Sequence, residues 1–267
     1  MDLSNENVIH VKKDDIEYLQ FRRLLEYGKI VHCYTLSAKD VDFRRNLNTE
    51  EQLKKAEDST KKLCNALNIS EKSLIRPGQT HSDIIKKVES IEENFNNVDG
   101  LLTDKANINL MLSFADCTPI YIYDMKKRVI GNIHSGWRGT VQKIGQKAVR
   151  KMCELYGSDP EDLLVCLGPC IGKCHFEVEE DVKNIFEETF GYLKRNCDII
   201  EHSKTNSSKY FVDTNLINRC LLEEVGVKPK NIVESGICTA CHPEILHSHR
   251  KSGDKAGRNV SIMGLLN

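Results

Sequence analysis

The sequence predicts an α/β or α+β domain in which mixed β-sheets are flanked by helices. Amphipathic helical periodicity occurs in separated segments, and short apolar runs typical of buried strands lie between them without regular alternation. No linker, low-complexity segment or fixed repeat interrupts the 267 residues. We therefore expect one continuous domain over residues 1–267.

Four segments have the three- and four-residue apolar spacing of amphipathic helices: residues 50–67, 140–156, 178–190 and 214–225. The apolar stripe of the second segment runs from Val141 to Leu155, and Gly157 is a candidate C-cap. Asp213 is a candidate N-cap for the last segment. Short β-rich runs predict six strands: residues 29–35, 109–114, 119–123, 128–134, 162–167 and 231–237.

Charge and hydropathy exclude several classes of protein. The chain carries 38 basic and 39 acidic side chains, a formal net charge of −1, which does not favour binding to nucleic acid or to an anionic membrane. Its longest apolar runs are far shorter than the roughly 20 residues of a membrane span. Its N-terminal segment lacks a signal-peptide pattern. We expect a cytoplasmic protein, and the sequence does not define an oligomeric state.

Eleven cysteines, an odd number, indicate buried thiols, metal ligands or a nucleophile in a reducing cytosol rather than disulfides. Six of them lie on apolar strand or helix faces and are interpreted as core residues: Cys33, Cys64, Cys153, Cys166, Cys197 and Cys220.

The other cysteine pairs are C-x3-C at Cys170 and Cys174 and C-x2-C at Cys238 and Cys241. His175 and His242 lie beside them. They could form a structural zinc site of four thiolates, or of three thiolates and one imidazole. A redox pair is a further alternative, although CTAC does not follow a thioredoxin-like βαβ pattern. We favour packing or pocket lining.

Three potential metal ligands lie where predicted strands end: His81 in QTHSD, Cys117 in FADCTP and His134 in IHSGWRGT. Because 36 and 17 residues separate them, they can meet only through the fold. Three nitrogen and sulfur ligands leave one tetrahedral position open, as in catalytic zinc sites, and their atoms should then converge to within roughly 4 Å. The alternative is that each is an ordinary structural histidine or a buried thiol.

Seven strings, in this order, carry a resemblance to a known family: QTHSD (79–83), DGLLTD (99–104), ADCTPIYIYD (115–124), IHSGWRGT (133–140), GPCIGKCHFEV (168–178), CTACHPEILHSHR (238–250) and GRNVSIMGL (257–265). The chain resembles the laccase-domain or multicopper polyphenol oxidase family. This family is also called a purine nucleoside phosphorylase family, and its bacterial members are also called peptidoglycan editing factors. The similarity extends from about residue 28 to the C-terminus.

The resemblance implies a single domain of mixed sheets and helices, with a zinc ion held by His81, Cys117 and His134. It further implies phosphorolysis of adenosine, inosine, guanosine and methylthioadenosine, and deamination of adenosine. Nucleosides and phosphate are then the expected small-molecule partners. The laccase name implies copper oxidation of phenols, which we rank lower because only His247 and His249 form a His-x-His pair.

Phosphate has four candidate ligands, since an arginine fork matches it bidentately: Arg138, Arg250, Lys251 and Arg258. We favour Arg138, which follows His134 by four positions and precedes the helix predicted at 140–156, whose first N–H groups could bind an anion. The alternatives are a carboxylate partner for Arg138 that locks the turn, and ordinary solvated charges at the other positions. Trp137 could stack on a purine or serve as a packing anchor.

A second functional class stays open, a metal-independent hydrolase in which Cys117 is the nucleophile and His134 its base. Asp116 is the nearest carboxylate that could orient the base. A peptidoglycan-editing hydrolase and a non-enzymatic partner protein with a vestigial site are further alternatives. Mutation of His81 distinguishes the zinc enzyme from the Cys–His hydrolase, because a Cys–His pair does not need His81 for activity.

The chain also departs from the family pattern. Members usually carry an Arg-x-Gly-Gly-type loop and an N-L-G-x-H-V-G-D string, whereas this chain has TLSAKDVDFRRNLNTEEQL and keeps only Asn46 and Leu47. Members commonly have Tyr where Phe176 stands. We expect nucleoside preference and rate to depend on these differences.

Overall fold

The structure is a computed structural model that describes residues 1–38, 41–44, 47–195, 198–204, 206 and 208–267. Within these residues the α-helices are α1 Arg22–Leu25, α2 Glu50–Leu67, α3 Trp137–Val141, α4 Ile144–Tyr156, α5 Glu180–Phe190, α6 Thr214–Glu224 and α7 His249–Ser252. None of the helices in these ranges is long and apolar enough to cross a membrane.

The strands of the same ranges are β1 Val8–Lys13, β2 Ile16–Phe21, β3 Ile30–Thr35, β4 Leu74–Ile75, β5 Ile85–Lys87, β6 Gly100–Thr103, β7 Asn109–Phe114, β8 Thr118–Asp124, β9 Ile130–Ser135, β10 Leu163–Leu167, β11 Glu177–Val178, β12 Ile200–His202, β13 Tyr210–Val212, β14 Ile232–Glu234 and β15 Asn259–Leu265. Each of the six strands predicted from the sequence is present. The last of them, predicted at 231–237, is shorter than expected.

Two six-stranded sheets form the centre of the molecule, in the orders β1-β2-β3-β15-β7-β4 and β14-β10-β8-β9-β6-β5. The pairs β4–β7, β10–β14 and β5–β6 are parallel, and the other pairs of these sheets are antiparallel. A third, antiparallel sheet has the order β11-β13-β12. The predicted architecture of mixed sheets flanked by helices is confirmed.

Successive side chains of the central strands point into different layers. In β7, Leu110 and Leu112 pack into the core between the two large sheets, whereas Met111 packs into the layer that contains Leu63 of α2. In β8, Ile120 lies in the layer formed with α4. Strands covered on both faces are apolar at every position, which explains the continuous apolar runs of the sequence.

Two helices begin where the sequence predicted. Thr49 caps α2, because its side chain accepts a hydrogen bond from the Gln52 N–H, and Asn68 ends the helix in the left-handed conformation with φ 55°. Asp213 caps α6 by accepting from the Leu216 N–H at 2.9 Å. The predicted cap at Asp213 is therefore confirmed, whereas the start of α2 was predicted from periodicity alone.

The prediction of a single helix at 140–156 is wrong at its start. The segment forms two helices, α3 and α4, because Lys143 adopts the left-handed conformation with φ 61°. The break lets Trp137 pack beside Phe186 in the layer around α5 while Ile144 packs against the second sheet. The end at Gly157 is confirmed, since this residue is the C-cap with φ 63°.

The predicted helix at 178–190 also begins later, at Glu180. Val178 belongs instead to β11, which pairs with β13. The strands β1, β2 and β15 were not predicted. β15 is a central strand of the first sheet, between β3 and β7.

The cysteines interpreted as core residues are largely buried. Cys33, Cys64, Cys166 and Cys220 are buried, and Cys153 is half-buried on α4. Cys197 and Asn46 lie outside the described residues. The organisation as one continuous domain stays a prediction.

Replacing Met152 by alanine should destabilise the fold by about 2–5 kcal/mol, because the deletion leaves a cavity between α4 and the second sheet. Met152 is fully buried, whereas Leu155, three residues further along the same helix, is 39% exposed. Leu155→Ala is the matched control and should cost less than about 1 kcal/mol. Urea unfolding of both variants measures the difference. Equal losses would mean that α4 does not pack as described.

Candidate metal centre

His81, Cys117 and His134 come together at one edge of the sheets. His81 lies in the loop between β4 and β5, Cys117 in the turn between β7 and β8, and His134 near the end of β9. Their potential ligand atoms lie within 4.8 Å of one another. The distance from Cys117 Sγ to His81 Nε2 is 3.8 Å. The sequence reasoning expected roughly 4 Å, and this sulfur–nitrogen distance lies within that limit.

The ring of His134 is oriented by Asp99, a fully buried carboxylate immediately before β6. His134 Nδ1 lies 2.7 Å from Asp99 Oδ1 and donates to it. The backbone N–H of His134 also donates to the Asp99 carbonyl at 2.7 Å. Because Nδ1 donates to Asp99, Nε2 is the ring nitrogen left to bind a ligand on the other side of the ring.

The same carboxylate holds the loop that carries His81. Asp99 accepts hydrogen bonds from the N–H of Thr80 at 3.2 Å, of His81 at 3.1 Å and of Ser82 at 2.7 Å. The Ser82 hydroxyl donates to it as well, at 2.7 Å. These bonds stabilise His81 in the left-handed conformation, with φ 60°. Asp99 therefore positions both histidines.

No role was predicted for Asp99, although it begins the DGLLTD string. The signal that could have identified it is an acidic residue at the start of an otherwise apolar strand. A carboxylate is almost never buried there unless several donors compensate its charge.

Asp99, Cys117 and His134 have strongly shifted pKa values. Burial raises the pKa of Asp99, but the hydrogen bond and charge of His134 and the bonds from Ser82 lower it to about 2. Burial also raises the pKa of the Cys117 thiol, but His134 and His81 outweigh burial and lower it to about 6. Burial lowers the pKa of His134, but Cys117 and Asp99 raise it to about 9. The pair favours a thiolate at Cys117, which is the form that binds metals and attacks electrophiles.

Gly136, in the HSGWRG string, leaves the space in which these side chains meet. A Cβ atom at this position would lie 2.8 Å from His81 Cδ2 and 3.1 Å from Cys117 Sγ. The requirement is for space rather than for backbone freedom, since φ is −72°.

The cluster opens into a cavity of about 1090 Å³. Arg138, Arg250 and Arg258, three of the four phosphate candidates, also line this cavity, whereas Lys251 is not among its described lining residues. A fourth arginine, Arg44, lines it too and was missed by the sequence reasoning. A cavity that combines metal-ligand side chains with several guanidinium groups is suited to an anionic ligand.

The arginines that line the cavity differ in the hydrogen-bond and ion-pair partners of their guanidinium groups. The Arg138 guanidinium lies 4.2 Å from the centre of the Trp137 ring, and no carboxylate of the described residues is within ion-pair distance of it. Arg250 donates to the His175 carbonyl at 2.7 Å, and Arg258 donates to the carbonyls of residues 256 and 257. The Arg44 guanidinium lies against the Asp42 carboxylate, 2.7 Å at the closest. Among the described residues, Arg138, Arg250 and Arg258 therefore have no carboxylate partner, and Arg138 is the one of the three whose guanidinium donates no hydrogen bond.

The helix expected to offer N–H groups beside Arg138 is not arranged that way. The 13-residue helix α4 begins at Ile144, and Arg138 lies in the five-residue helix α3. Any role of Arg138 must come from its side chain.

Asp116, the expected orienting carboxylate for a Cys–His pair, does not contact His134. Its two oxygens accept hydrogen bonds from the Thr239 hydroxyl at 2.5 Å and from the Arg250 N–H at 2.6 Å. Asp99 takes the orienting position instead. Asp116 fixes the turn before Cys117, where its own φ is 81°.

Cys174, His175, Cys238 and Cys241 form a second group, whose ligand atoms lie within 4.8 Å of one another. Cys174 and Cys241 are exposed, and none of the four is a described lining residue of the cavity. The favoured interpretation of packing or pocket lining fits Cys170, which is buried at 4% exposure, and Cys238, which packs against the apolar cluster that contains Phe186. It does not fit the exposed Cys174 and Cys241. His242 does not join the group and faces Glu244.

Comparison with known proteins shows the same family over most of the chain. The family model for multi-copper polyphenol oxidoreductase laccase matches residues 41–266. A purine nucleoside phosphorylase of Clostridium acetobutylicum is 32% identical over 257 residues, which are 96% of this chain and 99% of the relative. The purine nucleoside phosphorylase YlmD of Bacillus subtilis (strain 168) is 30% identical over 212 residues, 76% of this chain and 74% of the relative. These matches cover the loops that carry His81, Cys117 and His134.

The fold also has a solved counterpart. The crystal structure of YlmD from Geobacillus stearothermophilus superposes with a TM-score of 0.86, at 24% sequence identity, and covers 97% of this chain and 100% of that chain. The arrangement of sheets and helices is therefore common to both proteins.

Gly136→Ala should weaken zinc binding at least about tenfold, because the added methyl group enters the space occupied by His81 and Cys117. Gly191→Ala is the control, since a Cβ atom there meets nothing within 4 Å. Competition with a chromogenic chelator measures the affinity, and circular dichroism checks the fold. Zinc binding by Gly136→Ala at wild-type affinity would show that the ion is held elsewhere.

Proposed function

The chain belongs to the multi-copper polyphenol oxidoreductase laccase family, and we propose that it is a zinc-dependent purine nucleoside phosphorylase that also deaminates adenosine. Two relatives that match most of it are named purine nucleoside phosphorylase. The proposed substrates are adenosine, inosine, guanosine and methylthioadenosine. The observation that carries the proposal is the meeting of His81, Cys117 and His134 in a cavity lined by arginines.

The donor set suits zinc. Two imidazole nitrogens and one thiolate leave one tetrahedral position open to a ligand from the cavity. The carboxylate–histidine contact of Asp99 with His134 is the outer contact that zinc ligands usually make. When bound, a zinc ion supplies Lewis acidity and lowers the pKa of water from roughly 15.7 toward 7. Copper oxidation of phenols ranks lower, as the sequence suggested.

Phosphorolysis requires an anion site beside the sugar. A phosphate oxygen forms a bond to C1′ while the C1′–N9 bond breaks, the purine takes up a proton, and ribose 1-phosphate is the other product. Arg138, Arg250 and Arg258 can bind the phosphate and neutralise its charge as it approaches C1′. Arg138 is the main candidate because its guanidinium, unlike those of Arg250 and Arg258, donates no hydrogen bond to a described residue.

The purine would lie against the apolar part of the cavity wall. Trp137 and Phe176 both line the cavity, and each has a guanidinium over its ring, Arg138 at 4.2 Å and Arg250 at 5.7 Å. Flat surfaces of this kind accept a planar base by stacking. Trp137 also lies 6.3 Å from Phe186, so it is a packing residue as well.

Deamination can use the same position. Water adds at C6 of adenosine and ammonia leaves, which gives inosine. Asp99 holds the two ligand histidines, His81 and His134, in place for this step. The cavity orients the purine edge toward them. One site then performs both reactions.

The second candidate function is a metal-independent hydrolase, and one observation favours it. Cys117, His134 and Asp99 are in the order nucleophile, base and orienting carboxylate, and the pKa of Cys117 is lowered to about 6. Hydrolysis of cell-wall fragments would belong to this class. His81 distinguishes the two functions, since a Cys–His–Asp triad does not use it.

Cys117→Ala and His81→Ala should each lose the zinc ion of this centre and reduce nucleoside turnover by roughly two orders of magnitude or more, because an incomplete ligand set binds weakly. His202→Ala is the control, since His202 lies in β12 and is not among the described lining residues of the cavity. Metal analysis and a nucleoside assay with and without phosphate measure the two effects. An active His81→Ala protein that lacks the zinc ion of this centre would instead support the Cys–His hydrolase.

Arg138→Ala should raise the apparent KM for phosphate about tenfold or more, because it removes a charge-assisted hydrogen bond to the anion. Base release should depend on phosphate and yield ribose 1-phosphate in the wild type. Arg150→Ala, an exposed arginine of α4, is the matched control. An unchanged KM with a lower melting temperature would assign Arg138 a structural role and leave the phosphate to Arg250 and Arg258.

A further inference from the structure

The second group of ligand-type side chains joins two loops. Cys174 and His175 lie in the loop between β10 and β11. Cys238 precedes a short 3-10 turn after β14, and Cys241 is the last residue of that turn. The Sγ atoms of Cys174 and Cys241 are 3.7 Å apart. His175 Nδ1 lies 3.2 Å from Cys174 Sγ, 3.5 Å from Cys241 Sγ and 3.8 Å from Cys238 Sγ. One ring nitrogen thus faces three sulfur atoms.

These distances are the ones that a tetrahedral zinc ion imposes. Zinc–sulfur bonds of about 2.3 Å and zinc–nitrogen bonds of about 2.0 Å place two sulfurs about 3.8 Å apart, and a sulfur and a nitrogen about 3.5 Å apart. A disulfide does not fit, since its sulfurs are about 2.05 Å apart. A hydrogen-bonded thiol cluster fits poorly, because one ring nitrogen can form a single good hydrogen bond with three thiols.

We propose that Cys174, His175, Cys238 and Cys241 bind a second zinc ion in a closed, structural site. Three thiolates and one imidazole complete the tetrahedron, so no position remains for water or substrate. This differs from the cavity group of His81, Cys117 and His134, whose three ligands leave one position open.

The surroundings of the site match a bound thiolate set. The Gly172 N–H donates to Cys238 Sγ at 3.2 Å, the outer hydrogen bond expected for a ligating thiolate. A Cβ atom on Gly172 would lie 3.3 Å from both Cys174 Sγ and Cys238 Cβ, so the loop closes tightly over the sulfurs. Arg250 donates to the His175 carbonyl, which places a positive charge beside a site with a net charge of −1.

The proposed zinc site stabilises one wall of the cavity. The importance of this wall for catalysis rests on the proposed function. Cys170 and Cys238 form an isolated parallel bridge, and the Thr239 N–H donates to the Cys170 carbonyl at 2.9 Å. The Thr239 hydroxyl in turn holds Asp116, the residue before Cys117. A zinc ion that ties the two loops together therefore holds the turn from which Cys117 reaches the cavity.

Metal analysis of variants tests the proposal. The wild type, purified without added metal, should contain about two zinc ions per chain, and Cys241→Ser and Cys174→Ser should each lose about one of them. Cys153→Ser, a half-buried cysteine on α4, is the matched control and should keep both. Wild-type zinc content in Cys174→Ser and Cys241→Ser would overturn the proposal.

The same experiment separates this site from the cavity site. Cys117→Ala should lose the other zinc ion and keep the one bound by the four-residue group. A wild type with about one zinc ion, retained in Cys117→Ala and lost in Cys241→Ser, would support the structural site and contradict a catalytic zinc. The reverse pattern, loss in Cys117→Ala alone, would overturn the structural site.

Selective alkylation gives a test that needs no variant to fold. Cys174 and Cys241 are exposed, so as free thiols they can be alkylated by iodoacetamide at alkaline pH, where the reactive thiolate forms. Zinc binding should slow their alkylation in the native wild type at least about tenfold, and a strong zinc chelator should abolish this protection. Peptide mass spectrometry identifies the modified residues. Equal rates with and without the chelator would show that no metal is bound there.

Discussion

The candidate metal centre depends on the hydrogen bonds of one buried carboxylate, Asp99. An isolated buried anion is costly, but here four groups of residues 80–82 and the ring of His134 donate to its two oxygens. Because the donors come from a loop and from a strand, the carboxylate fixes the distance between the two histidines. The same bonds select the protonated nitrogen of His134 and stabilise the left-handed backbone of His81.

Strand register places this carboxylate where it is needed. In the antiparallel pair β6–β9, Gly100 lies opposite Ile133, so Asp99 comes beside His134. In the pair β8–β9, Pro119 lies opposite His134, and Cys117 therefore reaches the same edge two residues earlier. A register slip of one residue would turn His134 to the opposite face of the sheet. Side chains of β8 and β9 pack alternately into the two cores, and this packing fixes the register. The same register therefore aligns Asp99, Cys117 and His134.

Sequence reasoning predicted what local signals control. The bounds of α2, the cap at Asp213 and the C-cap at Gly157 follow from capping and periodicity, and the structure has them. The break at Lys143 was missed because tertiary packing, with α3 and α4 in different layers, overrides an uninterrupted apolar stripe. Asp99 was missed for a related reason, since its role depends on donors from a loop almost 20 residues earlier in the chain.

The cysteine-rich loops show the limit of spacing arguments more clearly. C-x3-C and C-x2-C were recognised as potential half-sites, but whether Cys170 or Cys174 faces the second pair depends on how the loop after β10 turns. The structure buries Cys170 and brings Cys174 and His175 to the second pair. The path of an irregular loop therefore decides which of two cysteines four positions apart is a packed thiol and which is a potential ligand. Residue spacing alone does not contain that information.

These loops also explain why this wall of the cavity needs a cross-link. Within the described residues, the loop after β10 and the loop after β14 meet through the isolated bridge of Cys170 with Cys238 rather than through a strand ladder. Yet the turn before Cys117 depends on them through Thr239 and Asp116. The Asp99 carboxylate positions the histidine side of the centre, whereas Asp116, held by Thr239 and by the backbone of Ile171, positions the cysteine side. A closed metal site supplies that rigidity without requiring a further strand, since four ligand bonds restrict both loops at once.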